Sequence, residues 1–476
     1  MDPHVFVLFG ATGDLSKRLI LPALVDLTRS NPDLKMRVLG VSRTEYDDDA
    51  FRRDAIDGLV SVGGLGRGEA TEWVNTYIFY QSLDGDPTPD DYERVRLRAD
   101  ELAHRFELGP SRVLYLALPP AAFEMTAEWL GRTGMNRPHD DGGKGERWVR
   151  LVVEKPFGHS LASARHLNEV LHRHFDESQI YRIDHYLGKE TVQNLLVFRL
   201  ANPIFERLWN RDAIERVEIY VSEDLDVGTR GAYYDRAGAM RDMIQNHLTQ
   251  LFTLVAMEVP SSPGADAIRS EKVKVLRSVA PLSGKDVVLG QYTGGRLDGR
   301  SVEPYTDLKG VAPDSTTETF AAVRLSVNNW RWQGVPFVLR TGKVMKKRTT
   351  EVRVVFRPPP VAFFRDLEGC ELKSNLLRIE LQPDEGFSLT FGVKRPGDGF
   401  VVEPQRFHFD YAEAFGDPPS AYRTLVEDLI RGDQTLFVHG DEVEASWALY
   451  DPILKRPRKV HPYAPGSWGP EAADAL

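Results

Sequence analysis

Residues 182–190 read RIDHYLGKE, a run with almost no apolar filler. Asp184 and His185 are adjacent, Tyr186 adds a hydroxyl, and Lys189 follows Gly188 at what the pattern makes a helix start. A folding core has no use for such density, because buried charge is expensive unless paired. The bland alternative is a solvated loop. The chemistry these residue types offer together is acid–base work beside anion binding, which suits a phosphorylated, hydroxyl-rich substrate.

A second set sits at the N-terminus. Gly10 and Gly13 bracket the turn of 10–16 (GATGDLS), with Ser16 where a third glycine or alanine would be expected. A glycine turn between a strand and a helix lets backbone N–H groups approach a pyrophosphate at the helix's positive end. Lys17 is a basic group at the same helix start, available to phosphates or to solvent. The next strand ends in Ser42-Arg43-Thr44, and the acids Asp47, Asp48 and Asp49 come too late to meet ribose hydroxyls. An arginine at that position accommodates the 2′-phosphate of NADP, whereas a carboxylate would select NAD. Arg43 thus favours NADP, with NAD a secondary possibility.

Three further groups complete the inventory. Lys155, in EKPFG at 154–158, ends a strand on the edge where open α/β sheets bind ligands, and Pro156 is a candidate cis residue. Residues 239–257 read as one α-helix with Met243, Ile244, Leu248, Leu251 and Val255 on its buried stripe, interrupted by Asp242, Asn246 and His247. Asp242 and His247 are five positions apart, so in an α-helix they face different sides and form no dyad. His247 by itself reads either as a cleft residue or as a hydrogen-bonded structural histidine. Lys343 ends the strand-like 337–342, and Arg348 follows in a charged run.

The elements that must position these groups have two textures. Apolar runs at 5–9, 37–41, 112–118 and 150–153 alternate with helical patterns at 19–27, 91–106 and 121–131, which predicts a parallel sheet covered on both faces. The Gly/Asp-rich 138–145 reads as a surface loop. After a helix at 191–200, strand-like runs at 216–221, 318–327, 336–339, 351–356, 376–382 and 386–391 follow with few helices between them. These predict a large, mostly antiparallel sheet in an α+β domain. The fold class is therefore α/β plus α+β, with a Rossmann-type dinucleotide-binding domain at 1–184 and a substrate-binding and oligomerisation domain at 185–476. That cut places RIDHYLGKE at the domain junction, a preferred position for ligands.

Composition narrows the function. The 476 residues carry a formal net charge of −10, which argues against nucleic acid as a partner and leaves anionic ligands to local basic groups. No apolar run reaches the roughly 20 residues of a membrane-spanning helix. The single cysteine, Cys370, excludes an internal disulfide and any multi-cysteine metal site, and reads as a packed small hydrophobe. The chain enters its first strand at His4, leaving no room for a signal peptide, so the expected compartment is the cytoplasm.

Taken in order, GATGDLSKRLILPAL at 10–24, ALPPAAF at 117–123, EKPFG, RIDHYLGKE, RDMIQNHLTQ at 241–250 and LRTGK at 339–343 closely resemble the glucose-6-phosphate dehydrogenase family over the whole chain. The resemblance implies NADP-dependent oxidation of glucose 6-phosphate at C1 by a homodimer or homotetramer, without a metal. It makes His247 the general base and Asp184 the carboxylate that orients it. It assigns the 6-phosphate to His185, Tyr186 and Lys189, with Arg348 nearby, and the sugar hydroxyls to Lys155, Glu223, Asp242 and Lys343. The cofactor falls to Gly10, Thr12, Gly13, Asp14, Leu15, Arg43 and Lys155. Animal members hold a second, structural NADP. Thr349 and Glu380 stand here where two of its basic groups would be, so that site is not expected. Around 226–232 the chain reads DVGTRGA where the family is richer in glycine. That departure keeps a second substrate reading open, another aldose phosphate or free glucose. A nucleotide-binding regulatory protein is the non-enzyme alternative.

Overall fold

A computed structural model describes residues 1–138, 147–361, 373–397, 401–456 and 459–476; Cys370 and nearly all of the 138–145 segment lie outside them. Two compact units are present, Met1–Gly188 with Pro419–Val443 and Lys189–Pro418 with Glu444–Leu476. The sequence reading makes a single cut after Asp184. The units divide instead after Gly188, and 419–443 returns to the first.

The first unit is built on six parallel strands, β1 (His4–Phe9), β2 (Met36–Ser42), β3 (Ile78–Ser82), β4 (Arg112–Leu116), β5 (Val149–Val153) and β6 (Ile180–Arg182). Their order is β3-β2-β1-β4-β5-β6, the doubly wound order of dinucleotide-binding sheets. Every residue of β1 and β4 is buried, as expected of central strands covered on both faces. The strand β3 escaped the sequence reading because only Ile78, Phe79 and Tyr80 of its five residues are buried.

The returning segment is bound to this unit by specific polar bonds. Arg150 donates to the carbonyls of Leu429 and Ile430 at 2.8 and 2.7 Å, and Glu177 accepts from the Gly440 N–H at 2.9 Å. Helix Ala421–Arg431 is strongly amphipathic and buries Tyr422, Leu425, Val426, Leu429 and Ile430. No local pattern at 419–443 announces which sheet its apolar stripe will cover.

In the second unit, nine strands form one sheet: β7 (Ile214–Ser222), β8 (Val287–Tyr292), β11 (Phe320–Ser326), β12 (Pro336–Gly342), β13 (Thr349–Phe356), β14 (Leu376–Gln382), β15 (Gly386–Lys394), β16 (Val402–Asp410) and β17 (Val460–Tyr463). A separate hairpin pairs β9 (Gly295–Leu297) with β10 (Arg300–Val302). The sheet order is β16-β15-β14-β13-β7-β12-β11-β8-β17, antiparallel except where β12 meets β7 and β17 meets β8. This is the mostly antiparallel second domain expected from sequence. Among the described residues no helix is long and apolar enough to cross a membrane.

The region 239–257, read as one α-helix, is a π-helical stretch Met240–Leu248 running into α-helix Thr249–Ala256. Its start is set by two backbone N–H groups, those of Ala239 and Met240. They donate to the Glu318 carbonyl at 2.9 Å and to its Oε1 at 3.0 Å.

Candidate active site

In the first unit, β1 ends in the glycine turn. Gly10 has φ +78, and a Cβ there would run into the Ala117 carbonyl oxygen at the end of β4, so only glycine fits. The Gly10 N–H donates to the Val41 carbonyl at 2.7 Å, and the Gly13 N–H to the Gly10 carbonyl at 2.9 Å. Ser16, fully buried, donates its hydroxyl to that same Gly10 carbonyl at 2.9 Å. A serine at the third position thus ties the helix start to the turn. The first helical residues, Ser16–Ile20, are π-helical.

A cavity of about 730 Å³ opens over this turn. It is lined by Gly10, Thr12, Gly13, Ser42, Arg43 and Thr44 on the polar side and by Leu118, Pro119, Ala122 and Met125 on the apolar side. Its volume lies in the range of sites that bury a cofactor or drug-sized ligand. Arg43 is exposed at its rim, and no ion pair among the described residues holds it. Exposed Glu45 lies two positions on, and the three aspartates that follow are engaged elsewhere. Asp47 caps the helix Asp48–Ser61 through the Ala50 N–H, Asp48 accepts from the Tyr80 N–H at 2.6 Å, and Asp49 pairs with Arg52 at 3.1 Å. The donor set is cationic at the 2′ position, so the residues present fit NADP.

Asp14 is exposed and pairs with Arg18 at 3.5 Å, while Leu15 is half-buried beside it. Lys17 differs from the sequence reading: its ammonium binds Asp54 at 2.7 Å and is committed to the following helix.

At the end of β5, Glu154 is buried and accepts from the hydroxyls of Tyr115 at 2.7 Å and Tyr422 at 3.1 Å. Burial pushes its carboxyl above the ordinary range, against the pull of those two bonds. The Lys155–Pro156 peptide is cis, and Lys155 is half-buried. After β6, the motif separates into different roles. Arg182 is fully buried and structural, bonded to Glu177 at 2.6 Å and Asn168 at 2.9 Å. Asp184 is buried, and its Oδ1 accepts the Tyr186 N–H at 3.0 Å, which folds the turn that follows. His185 lies 5.0 Å from the Tyr186 ring and 6.5 Å from the Tyr422 ring, nearly parallel to the latter.

The second unit carries the remaining candidates. Lys189 is the N-cap residue of helix Glu190–Leu200 and is buried. Glu223, just after β7, forms an ion pair with Lys343, just after β12, and their backbones are joined by the Glu223 N–H to Gly342 carbonyl bond at 3.0 Å. Lys343 is buried, 5.7 Å above the Tyr234 ring, and its carbonyl accepts the Tyr463 hydroxyl at 2.8 Å. Adjacent parallel strands therefore deliver the pair from 120 positions apart.

The π-helical stretch carries Asp242 and His247, both buried. Hydrogen bonding from i to i+5 brings residues five apart toward the same face. This reverses the reading of Asp242 and His247 as facing different sides, because an α-helical period does not apply here. The Tyr233 hydroxyl reaches Asp242 Oδ1 at 3.4 Å, and burial, then that carboxylate, push Tyr233 up to about 12. Arg348 is exposed between β12 and β13, and no bond among the described residues ties it to the Glu223–Lys343 pair. Thr349 is buried in β13, and Glu380 accepts from Arg406 at 2.8 Å. Tyr80 and Glu318 carried no signal in the sequence, because Tyr80 lies on the unread strand β3 and the Glu318 carboxylate meets a backbone N–H 78 positions away.

The sequence matches the family description "Glucose-6-phosphate dehydrogenase, NAD binding domain" over residues 7–194 and "Glucose-6-phosphate dehydrogenase, C-terminal domain" over 196–476. It is 44% identical to a glucose-6-phosphate 1-dehydrogenase of Aggregatibacter actinomycetemcomitans, over 99% of this chain and 94% of the relative. Against the enzyme of that name from Treponema pallidum it is 42% identical, over 100% of this chain and 93% of the relative. A solved structure described as glucose-6-phosphate dehydrogenase in complex with its substrate glucose-6-phosphate superposes with a TM-score of 0.87 at 34% identity, covering 99% of this chain and 96% of that one.

Proposed function

The chain belongs to the glucose-6-phosphate dehydrogenase family, and from that premise we infer the reaction. It oxidises D-glucose 6-phosphate at C1 to 6-phospho-D-glucono-1,5-lactone in the NADP-dependent first step of the oxidative pentose phosphate pathway. NADP, when bound, accepts the hydride that leaves C1. The observation that carries the cofactor is Arg43, exposed on the nucleotide cavity, whose lining includes no carboxylate. Gly10, Thr12, Gly13, Asp14, Leu15 and Arg43 hold it, with Lys155 spanning cofactor and sugar.

In our reading, His247 accepts the proton of the C1 hydroxyl as general base. Asp184 orients that imidazole and stabilises its charged form, as the third member of a triad does. His185, Tyr186 and Lys189 hold the 6-phosphate, assisted by Arg348. Lys155, Glu223, Asp242 and Lys343 hold the sugar hydroxyls. Support for the last group comes from the Glu223–Lys343 pair and from Asp242 and His247 sharing one π-helical stretch. A pure nucleotide-binding regulator has no need of a buried histidine and aspartate on that stretch.

The decisive assay crosses NADP and NAD with glucose 6-phosphate, its epimers and free glucose, following reduced cofactor by absorbance. Turnover is expected with glucose 6-phosphate and NADP, and comparable kcat/KM for glucose would move the assignment to a free-sugar dehydrogenase. We also infer a homo-oligomer, dimer or tetramer, pairing through the second unit's sheet. The outer strands β15 and β16 support this by exposing Val393 and Phe407, with Phe391 stacked on Phe407 at 4.8 Å. The compartment we infer is the cytoplasm, in keeping with one cysteine in 476 residues.

A further inference from the structure

Two loops approach the cofactor cavity in the first unit, the glycine turn and the segment Ser42-Arg43-Thr44. They are joined by a chain of hydroxyls that ends on Tyr80. The Tyr80 hydroxyl donates to the Thr44 carbonyl at 2.7 Å and lies 3.0 Å from Ser42 Oγ. Ser42 Oγ lies 2.9 Å from Thr12 Oγ1, which is itself 3.1 Å from Thr44 Oγ1. Thr12 sits inside the glycine turn, and Ser42 and Thr44 flank Arg43. The network thus sets the spacing between the pyrophosphate turn and the arginine.

Tyr80 is itself held from behind. Its ring packs on Phe51 at 4.7 Å and Tyr46 at 6.0 Å. Its N–H donates to Asp48, whose other oxygen is held by Arg98 at 2.9 Å. Phe51 reaches this position because β2 carries Gly40, where any Cβ would strike the Phe51 ring. Tyr80 is 5% exposed and does not line the cavity, so whatever it does for a ligand it does through Ser42 and Thr44.

Arg43 has no ion pair among the described residues to fix it. A long, unpaired arginine pays for ordering when it meets a phosphate, and that cost falls when its backbone is already held. We propose that Tyr80 is a positioning residue for cofactor choice, holding Ser42–Thr44 so that Arg43 stands where the 2′-phosphate of NADP must be met. The inference rests on the NADP reading above and adds a residue with no contact to the ligand.

The test is calorimetric binding of 2′,5′-ADP and of 5′-AMP to the wild-type protein and to Tyr80→Phe. A hydrogen bond of this kind changes an equilibrium about three- to ten-fold. Tyr80→Phe is therefore expected to weaken 2′,5′-ADP about ten-fold while 5′-AMP stays within about two-fold. In steady state the loss should appear in KM for NADP rather than in kcat, and KM for NAD should not follow it. A purely structural role would weaken both fragments alike, and that result overturns the proposal. Wild-type protein binding both fragments equally would overturn the NADP reading and this inference together. A wild-type preference that persists undiminished in Tyr80→Phe overturns this inference alone. Should Tyr80→Phe fail to fold, Phe51→Leu loosens the packing behind the Tyr80 ring without touching the cavity; a several-fold loss confined to 2′,5′-ADP supports the proposal, and no such loss overturns it.

Discussion

His247 shows how far a single residue can be read. Its type and its place among apolar neighbours allow a base or a structural histidine, and the base is our proposal. In His247→Asn, steady-state kinetics should show kcat lowered by at least ~10² with KM for glucose 6-phosphate nearly unchanged. An unaltered kcat would remove His247 from the mechanism. His4 makes a stability prediction instead. It is fully buried beside Trp148, and burial lowers its pKa from 6.5 to about 4. Below pH 6.5 the unfolded chain takes up the proton while the folded chain stays neutral until about pH 4. The unfolded state therefore binds more protons in this window, and stability falls as pH falls through it. The first unit should lose roughly 2 kcal/mol between pH 7 and pH 5, measured by urea unfolding. His4→Phe should lack that loss.

The helix that carries Asp242 and His247 poses the problem at the scale of an element. Its apolar stripe was legible, since Met243, Ile244, Leu248, Leu251 and Val255 are all buried as the pattern required. Its π-helical winding was not, because nothing in the residue types distinguishes an i+5 from an i+4 ladder. Its start is fixed from outside the segment. Gly238 has φ +66 and ψ 171, a conformation open essentially to glycine alone, and any Cβ there would collide with the Glu318 carboxylate. Glu318 is buried, burial raises its pKa, and its carboxylate accepts the Met240 N–H. Gly238→Ala should therefore destabilise the second unit by about 2–3 kcal/mol. Glu318→Ala should lower both the thermal midpoint and kcat, while Glu318→Gln, which keeps an acceptor oxygen, should recover most of both. Equal damage from Gln and Ala would mean that the charge, not the cap, matters.

For the whole molecule, assembly turns on the edge of the second unit's sheet. The strand β16 is nine residues long, lies at the edge of the sheet and is largely exposed, with Phe407 62% exposed. A long edge strand with exposed aromatics is a pairing surface unless something covers it. Phe407→Asp is expected to shift light-scattering mass in solution toward the monomer without disturbing the fold. An unchanged mass would remove this strand edge from any subunit contact.

Much of this protein was determined by its sequence alone. Alternating apolar runs and helical patterns dictated a parallel sheet followed by an antiparallel one, because period and burial are local properties of the chain. The glycine turn and the strand end at EKPFG were legible for the same reason: each is a short run whose backbone preference is visible without neighbours. Tertiary structure alone decided what depends on distant partners. The return of 419–443 to the first unit, the pairing of Glu223 with Lys343 and the anchoring of the Met240 helix start on Glu318 are of this kind. So is the hydroxyl chain from Thr12 to Tyr80. In each, a backbone or polar group must find its bond across tens to hundreds of residues, and only the folded chain brings those groups within reach.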